Sequence, residues 1–300
     1  MTDTTLPATW GNALYLGSYE SNTPEWHALR AGANIGGSDV STICGVNPWD
    51  SAFSLWAKKT GKLEDDFQGN DATEWGTLLE PVIMEKFFRK HPELWIYRSP
   101  GTFRHKDRDW QIANPDGVYK NEAGEFGIIE IKTAAFEDDW KDGRGGWKVP
   151  VYYATQVQWY MQTFGFKHAW VVVLFAGKKY VEIELHADDF EQRTNLERVM
   201  QFREYVLTET QPDYDGATAT YETIRKLHPM IDDTEVELGE LGTFYQIACR
   251  EFEQAESHLM EMKSRVMDLM GKAKKGTVNG KPVVGRQAKG FGTPYLVNKK

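Results

Sequence analysis

The sequence has little cysteine, no long apolar run and no excess of positive charge, and each absence argues against a class of protein. Its two cysteines, Cys44 and Cys249, stand far apart and form no CxxC pair. This pattern disfavours a disulfide scaffold, a structural zinc site and a four-cysteine iron–sulfur cluster. No segment approaches the roughly 20 apolar residues that cross a bilayer, and residues 1–17 lack the pattern of a secretory signal. We therefore expect a cytoplasmic protein that does not contact a membrane.

The charge pattern disfavours a protein that simply coats nucleic acid. The net charge is −9, whereas passive DNA-binding domains are usually basic. Basic residues are nevertheless gathered in the segment 271–300, which has no Asp or Glu. That segment could follow a DNA backbone or could be a solvated terminus. No GxxxxGK[ST], HExxH or GxSxG motif is present, which argues against P-loop, metalloprotease and serine hydrolase chemistry.

Hydrophobic periodicity predicts alternating helices and strands, hence an α/β chain with a mixed central sheet flanked by helices. We expect a helix over 39–44 capped by Ser38, another over 71–91 kinked or interrupted at Pro81, and strands over 95–105, 109–120 and 125–134. A helix over 151–165, a hairpin over 168–185 and a helix over 187–208 follow. A long C-terminal helix is predicted over 235–273 from apolar residues spaced by three and four: Leu238, Leu241, Phe244, Tyr245, Ala248, Phe252, Ala255, Leu259, Met262, Val266 and Leu269.

The segment FGIIEIKTA, residues 126–134, contains the pair most suggestive of chemistry. Side chains alternate along a strand, so Glu130 and Lys132 face the same way. Both faces begin with apolar residues, which indicates an interior strand covered on two sides. A carboxylate and an ammonium group there need partners. A salt bridge on one face of the sheet is the ordinary alternative.

A second carboxylate comes from Asp116, which lies 14 residues before Glu130 in the turn Asn-Pro-Asp-Gly. A strand, turn and strand of that length can bring Asp116 beside Glu130, although an Asp-Gly β-turn alone needs no function. Two converging carboxylates suit Mg²⁺ or Mn²⁺. A bound ion would activate water, and Lys132 could orient that water or stabilise the phosphorane.

In this order, Asn-Pro-Asp-Gly, Glu-Ile-Lys and a helix with Gln-Val-Gln resemble the YqaJ-like viral recombinase nucleases. These are relatives of phage lambda exonuclease within the PD-(D/E)xK superfamily. The resemblance covers roughly residues 24–175 and includes IGGSDVSTICGVNPW, LWAKKTGK and WGTLLEPVIMEKF. It implies a restriction-endonuclease-like core over 1–210, followed by a C-terminal helical extension with a basic β-like tail over 211–300.

The resemblance also implies roles for individual residues. Metal-binding positions are Glu80, Asp116, Glu130 and Ile131, and the catalytic set is Asp116, Glu130, Lys132 and Gln156. Gln158 is the alternative to Gln156, because one helix cannot direct both side chains at one site. Arg30 and Ser38 match residues that hold a 5′-terminal phosphate, which suits bidentate arginine and a glycine-rich turn into a helix. A solvated Glu80 and a plain capped turn at Ser38 remain alternatives.

Together these features predict a Mg²⁺-dependent deoxyribonuclease, for which Mn²⁺ can substitute. The first hypothesis is a 5′→3′ exonuclease on double-stranded DNA ends that leaves 3′ overhangs for a single-strand annealing protein in phage or prophage recombination. The resemblance implies a homo-oligomeric ring around DNA, and phosphodiester displacement favours two metal ions. The alternatives are a structure-specific or nicking endonuclease with the same metal site, and a non-catalytic DNA-binding protein on the same fold.

Overall fold

The computed structural model describes residues 9–19, 23–64 and 69–298. The chain forms two compact units, residues 1–230 and residues 231–300. Lys299 and Lys300 of the predicted basic tail lie outside the described residues. No helix in the described part of the chain is both long and apolar enough to span a bilayer.

The first unit contains the strands and helices that build the site. Its strands are β1 (Thr9–Trp10), β2 (Ala13–Gly17), β3 (Trp95–Arg98), β4 (Thr102–His105), β5 (Arg108–Ala113), β6 (Gly117–Lys120), β7 (Phe126–Ala134), β8 (His168–Phe175) and β9 (Lys179–His186). Its helices are α1 (Pro24–Arg30), α2 (Gly37–Ile43), α3 (Ala52–Lys59), α4 (Asp71–Lys90), α5 (Val151–Phe164), α6 (Asp189–Leu207) and α7 (Thr218–Leu227).

A five-stranded mixed sheet in the order β3-β6-β7-β8-β9 forms the centre of this unit. Strands β7 and β8 run parallel, and the other neighbours run antiparallel. One face packs against α5, where Ile128 is fully buried. The opposite face packs against α4 through Ile129 and Ile131. The predicted α/β class and the interior position of β7 are confirmed.

The strands predicted over 95–105 and 109–120 are each broken, because a proline interrupts both. Pro100 separates β3 from β4, and Pro115 separates β5 from β6. The halves join different sheets, since β4 and β5 belong to a four-stranded sheet in the order β1-β2-β4-β5. A proline cannot donate to the ladder and so ends pairing at these points. The break at Pro115 turns Asp116 towards the central sheet.

Two helix predictions are wrong in detail. Helix α2 begins at Gly37 with Gly36 as its N-cap residue, because the Asp39 carboxylate accepts a hydrogen bond from the Gly36 N–H at 3.0 Å. Ser38 therefore lies inside the helix and is exposed. Helix α4 continues past Pro81, so the chain is not interrupted there. Its buried residues, Ile83, Met84 and Phe87, all lie in its second half, whereas Trp75 and Val82 are exposed.

The second unit consists of α8 (Gly239–Met270) and the three-stranded antiparallel sheet β10 (Lys275–Val278), β11 (Lys281–Gln287) and β12 (Tyr295–Asn298). The long C-terminal helix and the short β segments after it are thus confirmed. Met270 at the end of α8 is buried, and Gly276 in β10 lies against its sulfur atom. Most of the apolar residues of α8 are exposed, Leu241 to 68% and Phe252 to 63%.

Candidate metal and DNA site

The second half of β7 forms the centre of the candidate site. Glu130 is 1% exposed, and its Oε1 atom accepts hydrogen bonds from Lys132 Nζ at 2.6 Å and from Gln156 Nε2 at 2.9 Å. Burial alone would lower the pKa of Lys132, but the charges of Glu130 and Asp116 raise this pKa above its ordinary value. Lys132 is therefore a charged ammonium group at neutral pH.

Asp116 joins this centre from the break between β5 and β6. Its Oδ2 atom accepts a hydrogen bond from the backbone N–H of Ile131 at 2.7 Å. Burial and the nearby charges of Glu130 and Glu80 raise the pKa of Asp116 well above its ordinary value. The carboxylates of Asp116, Glu130 and Glu80 thus repel one another, and such repulsion favours the protonated form of a carboxyl group.

Glu80 reaches the same region from α4. Burial and the charge of Glu130 raise its pKa, and Lys132 acts in the opposite direction. The approach of α4 depends on Gly117, because a Cβ atom there would lie 2.8 Å from Met84 Cε. Met84 lies one turn after Glu80, so the glycine that follows Asp116 permits the helix to bring Glu80 close.

The donor set fits a hard divalent cation. The Oε2 atom of Glu130 is buried and has no hydrogen-bond partner, which is costly unless a cation or water satisfies it. Glu80, Asp116 and Glu130 supply only three carboxylates, so water and a DNA phosphate would complete the coordination shell. The side chain of Ile131 is buried and aliphatic, so only the backbone carbonyl oxygen of Ile131 could bind a metal ion.

The two glutamines of α5 have separate surroundings. Gln156 binds Glu130, and its Nε2 atom also donates to Tyr160 Oη at 3.0 Å. Gln158 is buried on the other side of the helix, where it donates to the carbonyl of His186 at 2.8 Å. The geometry therefore favours Gln156 over Gln158, and the catalytic role of Gln156 stays a prediction.

Arg30 and Ser38 lie together, as the phosphate hypothesis requires. Arg30 Nη2 donates to Ser38 Oγ at 2.5 Å and lies 3.5 Å from Asp39 Oδ1. The ammonium group of Lys59 lies 3.1 Å from Asp39 Oδ2. Burial would raise the pKa of Asp39, but Lys59 and Arg30 hold this pKa below its ordinary value. The two cations, Arg30 and Lys59, outnumber the one carboxylate, Asp39. This corner of the site, formed by Arg30, Ser38, Asp39 and Lys59, therefore carries a net positive charge.

Tyr160 connects the Arg30 corner with the carboxylates. A Cβ atom at Gly37 would lie 2.4 Å from the Tyr160 ring, so α2 packs directly on α5. Burial and the charge of Glu130 raise the pKa of Tyr160, and Arg30 acts in the opposite direction. Both Arg30 and Glu130 therefore act electrostatically on the hydroxyl of Tyr160.

Sequence reasoning missed three residues of this arrangement: Asp39, Lys59 and Tyr160. In the sequence, Tyr160 is one of several aromatic residues on the apolar face of α5, and Lys59 is the second of two lysines at the end of α3. Neither position stands out from its neighbours. Lys59 Nζ also donates to the carbonyls of Arg30 and Asn34 at 2.9 and 2.7 Å. Only Asp39 carried a signal, since it stands three residues after Gly36 as in a capping box.

The fold of the chain is similar to that of alkaline exonucleases. The chain aligns with the crystal structure of an alkaline exonuclease from Laribacter hongkongensis at a TM-score of 0.52 and 20% identity, covering 69% of this chain and 100% of that one. The same enzyme in complex with dAMP gives a TM-score of 0.51 over the same coverage, again at 20% identity.

The sequence comparison points in the same direction. Residues 25–167 match the model of the YqaJ-like viral recombinase domain. The protein YqaJ of Bacillus subtilis (strain 168) is 28% identical over 280 residues, which cover 88% of this chain and 85% of that protein. Protein D345L of African swine fever virus (strain Badajoz 1971 Vero-adapted) is 33% identical over 168 residues, 48% of this chain and 46% of its own. The matched domain and the fold confirm the resemblance inferred from the ordered motifs.

Proposed function

We propose that this chain is a metal-dependent DNA nuclease that takes Mg²⁺, with Mn²⁺ as a substitute, at Glu80, Asp116 and Glu130. The observation that carries the proposal is the buried, unpartnered Oε2 atom of Glu130 beside two further carboxylates. Oxygen donors of this kind suit hard divalent cations. A fold that only bound DNA would have no use for carboxylates directed at phosphates, because they repel the backbone when no metal is bound.

The residues around the carboxylates have different chemical roles. A bound cation would polarise the scissile phosphate and lower the pKa of a coordinated water. Lys132 keeps its proton because its pKa is raised, so it acts as a hydrogen-bond donor and positive charge for the phosphorane rather than as a base. Gln156 donates to Glu130 Oε1 and so fixes the carboxylate with its other oxygen free.

The proposed substrate is the end of double-stranded DNA, which the enzyme degrades from 5′ to 3′ to leave a 3′ overhang. The support is the net positive group of Arg30, Lys59 and Asp39. It lies beside Gly36 and Gly37, and Gly37 packs against Tyr160 and Gln156 of α5. Guanidinium groups bind phosphate through paired hydrogen bonds. A terminal 5′ phosphate held there would set the distance to the bond that is cleaved. The family description as a viral recombinase domain suits such overhangs, which an annealing protein can use.

We propose further that the protein is a homo-oligomer that associates through α8. Its apolar residues alternate at spacings of four and three: Leu241, Tyr245, Ala248, Phe252, Ala255, Leu259, Met262, Val266 and Leu269. This period of 3.5 is typical of a left-handed coiled coil. Glu251 and Glu256 precede Lys263 and Arg265 beside the stripe, so two copies running in opposite directions would pair unlike charges. The ring implied by the resemblance stays a prediction, and a mass measurement gives the number of chains.

The test is digestion of linear and covalently closed circular duplex DNA, each with Mg²⁺ and with EDTA. We expect Mg²⁺-dependent loss of the linear form alone. Glu130→Gln and Lys132→Ala should each lower the rate by about 10²–10³ or more, as loss of a group that stabilises transition-state charge does. Glu137→Gln, which changes a partly exposed glutamate paired with Lys179, is the matched control and should retain full activity.

Three outcomes would contradict parts of the proposal. Cleavage of the closed circle would favour the structure-specific or nicking endonuclease, with the same metal site. Full activity of Glu130→Gln would remove the site assignment altogether. Digestion that continues in EDTA would remove the metal.

A further inference from the structure

A second cluster of metal-binding side chains lies on the opposite face of the central sheet from Glu130. It consists of His168 on β8 and of Glu184 and His186 on β9. His168 pairs with His186 across the two strands, and Trp170 pairs with Glu184, so all three side chains share one face. Glu130 pairs with Val171, which faces the other way because side chains alternate. The cluster is therefore separate from the candidate active site.

The ligand atoms of the cluster are already close together. Nε2 of His168 lies 3.6 Å from Glu184 Oε2, and Nε2 of His186 lies 4.0 Å from the same oxygen. One atom from each residue can be chosen so that all three lie within 4.8 Å of one another. Ligands about 2.0–2.1 Å from a tetrahedral Zn²⁺ stand roughly 3.3–3.5 Å apart. Small movements suffice, because the His186 and Glu184 side chains are 73% and 54% exposed.

The less exposed histidine is oriented by a partner from outside the cluster. Nδ1 of His168 is hydrogen-bonded to the hydroxyl of Tyr119 on β6. When Nδ1–H donates to this oxygen, Nε2 presents its lone pair on the side of Glu184. An outer partner of this kind fixes the tautomer and ring orientation of a metal-binding histidine. His186 is held through its backbone, since its carbonyl accepts from Gln158 Nε2 at 2.8 Å.

The contact between Tyr119 and His168 depends on a glycine in the strand between them. Gly127 on β7 is the direct neighbour of Tyr119 on β6. A Cβ atom at residue 127 would lie 2.3 Å from the Tyr119 ring, so any other residue would displace the phenol. The glycine lets Tyr119 extend across β7 to reach β8. The orienting partner is thus built into three adjacent strands.

We propose that His168, Glu184 and His186 form a Zn²⁺ site, with Tyr119 as a positioning residue and water in the remaining coordination position. Two imidazole nitrogens and one carboxylate suit Zn²⁺, whereas the oxygen donors around Glu130 suit Mg²⁺. The site joins β8 to β9, which is the edge strand of the sheet. Bound Zn²⁺ should hold that edge strand in register and raise the melting temperature, because the ion binds the folded state.

The test is Zn²⁺ binding to the untagged full chain, measured by calorimetry in excess Mg²⁺, with melting temperature as a second readout. We expect one Zn²⁺ per chain. His186→Ala should abolish binding and the thermal shift, and Tyr119→Phe should weaken binding by about 10–100-fold, as loss of an outer partner does. His228→Ala removes another exposed histidine and should change neither. All four proteins should keep the same far-ultraviolet circular dichroism.

Cobalt absorption distinguishes the two metal sites. Co²⁺ in a four- or five-coordinate site with imidazole ligands absorbs visible light much more strongly than Co²⁺ in an octahedral oxygen site. We expect the strong bands in wild type and in Glu130→Gln, and their loss in His186→Ala. Zn²⁺ binding that survives His186→Ala, or that disappears in Glu130→Gln alone, would overturn the proposal. So would a wild-type chain that binds no Zn²⁺ in excess Mg²⁺.

Discussion

At the scale of single residues, the candidate site concentrates charge at a cost to the folded state. Glu130 has a charged partner in Lys132, but its second carboxylate oxygen has none. The pKa values of Asp116 and Glu80 are raised by burial and by the charge of Glu130, so ionising either carboxyl in the folded protein is unfavourable. Sites selected for binding a metal commonly sacrifice stability in this way.

This cost has a measurable dependence on pH. The raised pKa of Asp116 means that the folded state keeps a proton that the unfolded state has already lost. In EDTA, the free energy of unfolding should therefore fall as pH rises from the ordinary aspartate pKa through the raised one. Asp116→Asn should be more stable than wild type at neutral pH and should show a weaker fall, measured by urea unfolding across pH.

The control for this experiment is an aspartate that is exposed to solvent instead of being buried beside other carboxylates. Asp213 is exposed, and Asp213→Asn should follow the wild-type curve. Adding Mg²⁺ should reverse the order at neutral pH, because the ion stabilises wild type by binding and stabilises Asp116→Asn less. An Asp116→Asn chain that is less stable than wild type in EDTA would contradict the repulsion between the carboxylates.

At the scale of elements, short breaks decide where the site residues lie. Pro115 ends pairing between β5 and β6 and leaves Asp116 in the gap, where it receives the Ile131 N–H. Gly117 lets α4 approach, and Gly37 lets α2 pack on α5. Pro115, Gly117 and Gly37 thus allow five segments to come together: the break at Asp116, β7, α4, α2 and α5. The pairing of Arg30 with Ser38 depends on another glycine, because a Cβ atom at Gly36 would lie 2.6 Å from Arg30 Nη2.

The proposed phosphate corner gives a prediction about DNA ends. Arg30→Ala should slow digestion of 5′-phosphorylated ends by about 10-fold or more, since a charged hydrogen bond contributes roughly 1.5–3 kcal/mol, and should affect 5′-hydroxyl ends less. The measurement is the rate on matched duplexes that differ only in the terminal phosphate. Arg98→Ala is a control, because Arg98 also lies over an aromatic ring and pairs with a carboxylate.

Equal slowing of both kinds of end in Arg30→Ala would remove the phosphate role. The arginine would then be only a structural partner of Trp26, over whose ring it lies at 4.4 Å. The rate on phosphorylated ends would in that case follow the loss of stability, which unfolding measurements report separately.

At the scale of the whole molecule, the second unit presents an apolar stripe on α8 that the described chain leaves open to solvent. Leu259 is 49% exposed and Met260 is 61% exposed, but only Leu259 belongs to the stripe with the 3.5-residue period. Exposed apolar stripes of this length are typical of association surfaces. The two neighbours therefore offer a matched pair of substitutions.

Leu259→Glu should weaken self-association by at least about 10-fold, because it places a charge within the apolar seam of a coiled coil. Met260→Glu adds the same charge beside the seam and should leave the mass unchanged. Light scattering coupled to size-exclusion chromatography, over a range of concentrations, measures both. A wild-type chain that is monomeric at all concentrations, or equal effects of the two substitutions, would contradict association through this stripe.

The sequence by itself determined the order of elements and the identity of the chemical groups. Alternation along β7 places Glu130 and Lys132 on one face whatever the tertiary structure, and the ordered motifs carry the resemblance to the YqaJ-like nucleases. The long α8 follows equally from local periodicity. These features depend on residues close in the chain, where backbone geometry alone fixes which side chains neighbour each other.

Only the tertiary structure decided which side chains meet. The splitting of two predicted strands between two sheets, the burial of Lys59 beneath Asp39 and the extension of Tyr119 across Gly127 to His168 all join residues far apart in sequence. Such contacts depend on how sheets and helices pack, and a single sequence carries no local pattern that specifies them. The pairing of Gln156 rather than Gln158 with Glu130 was decided in the same way, by the rotation of α5 against β7.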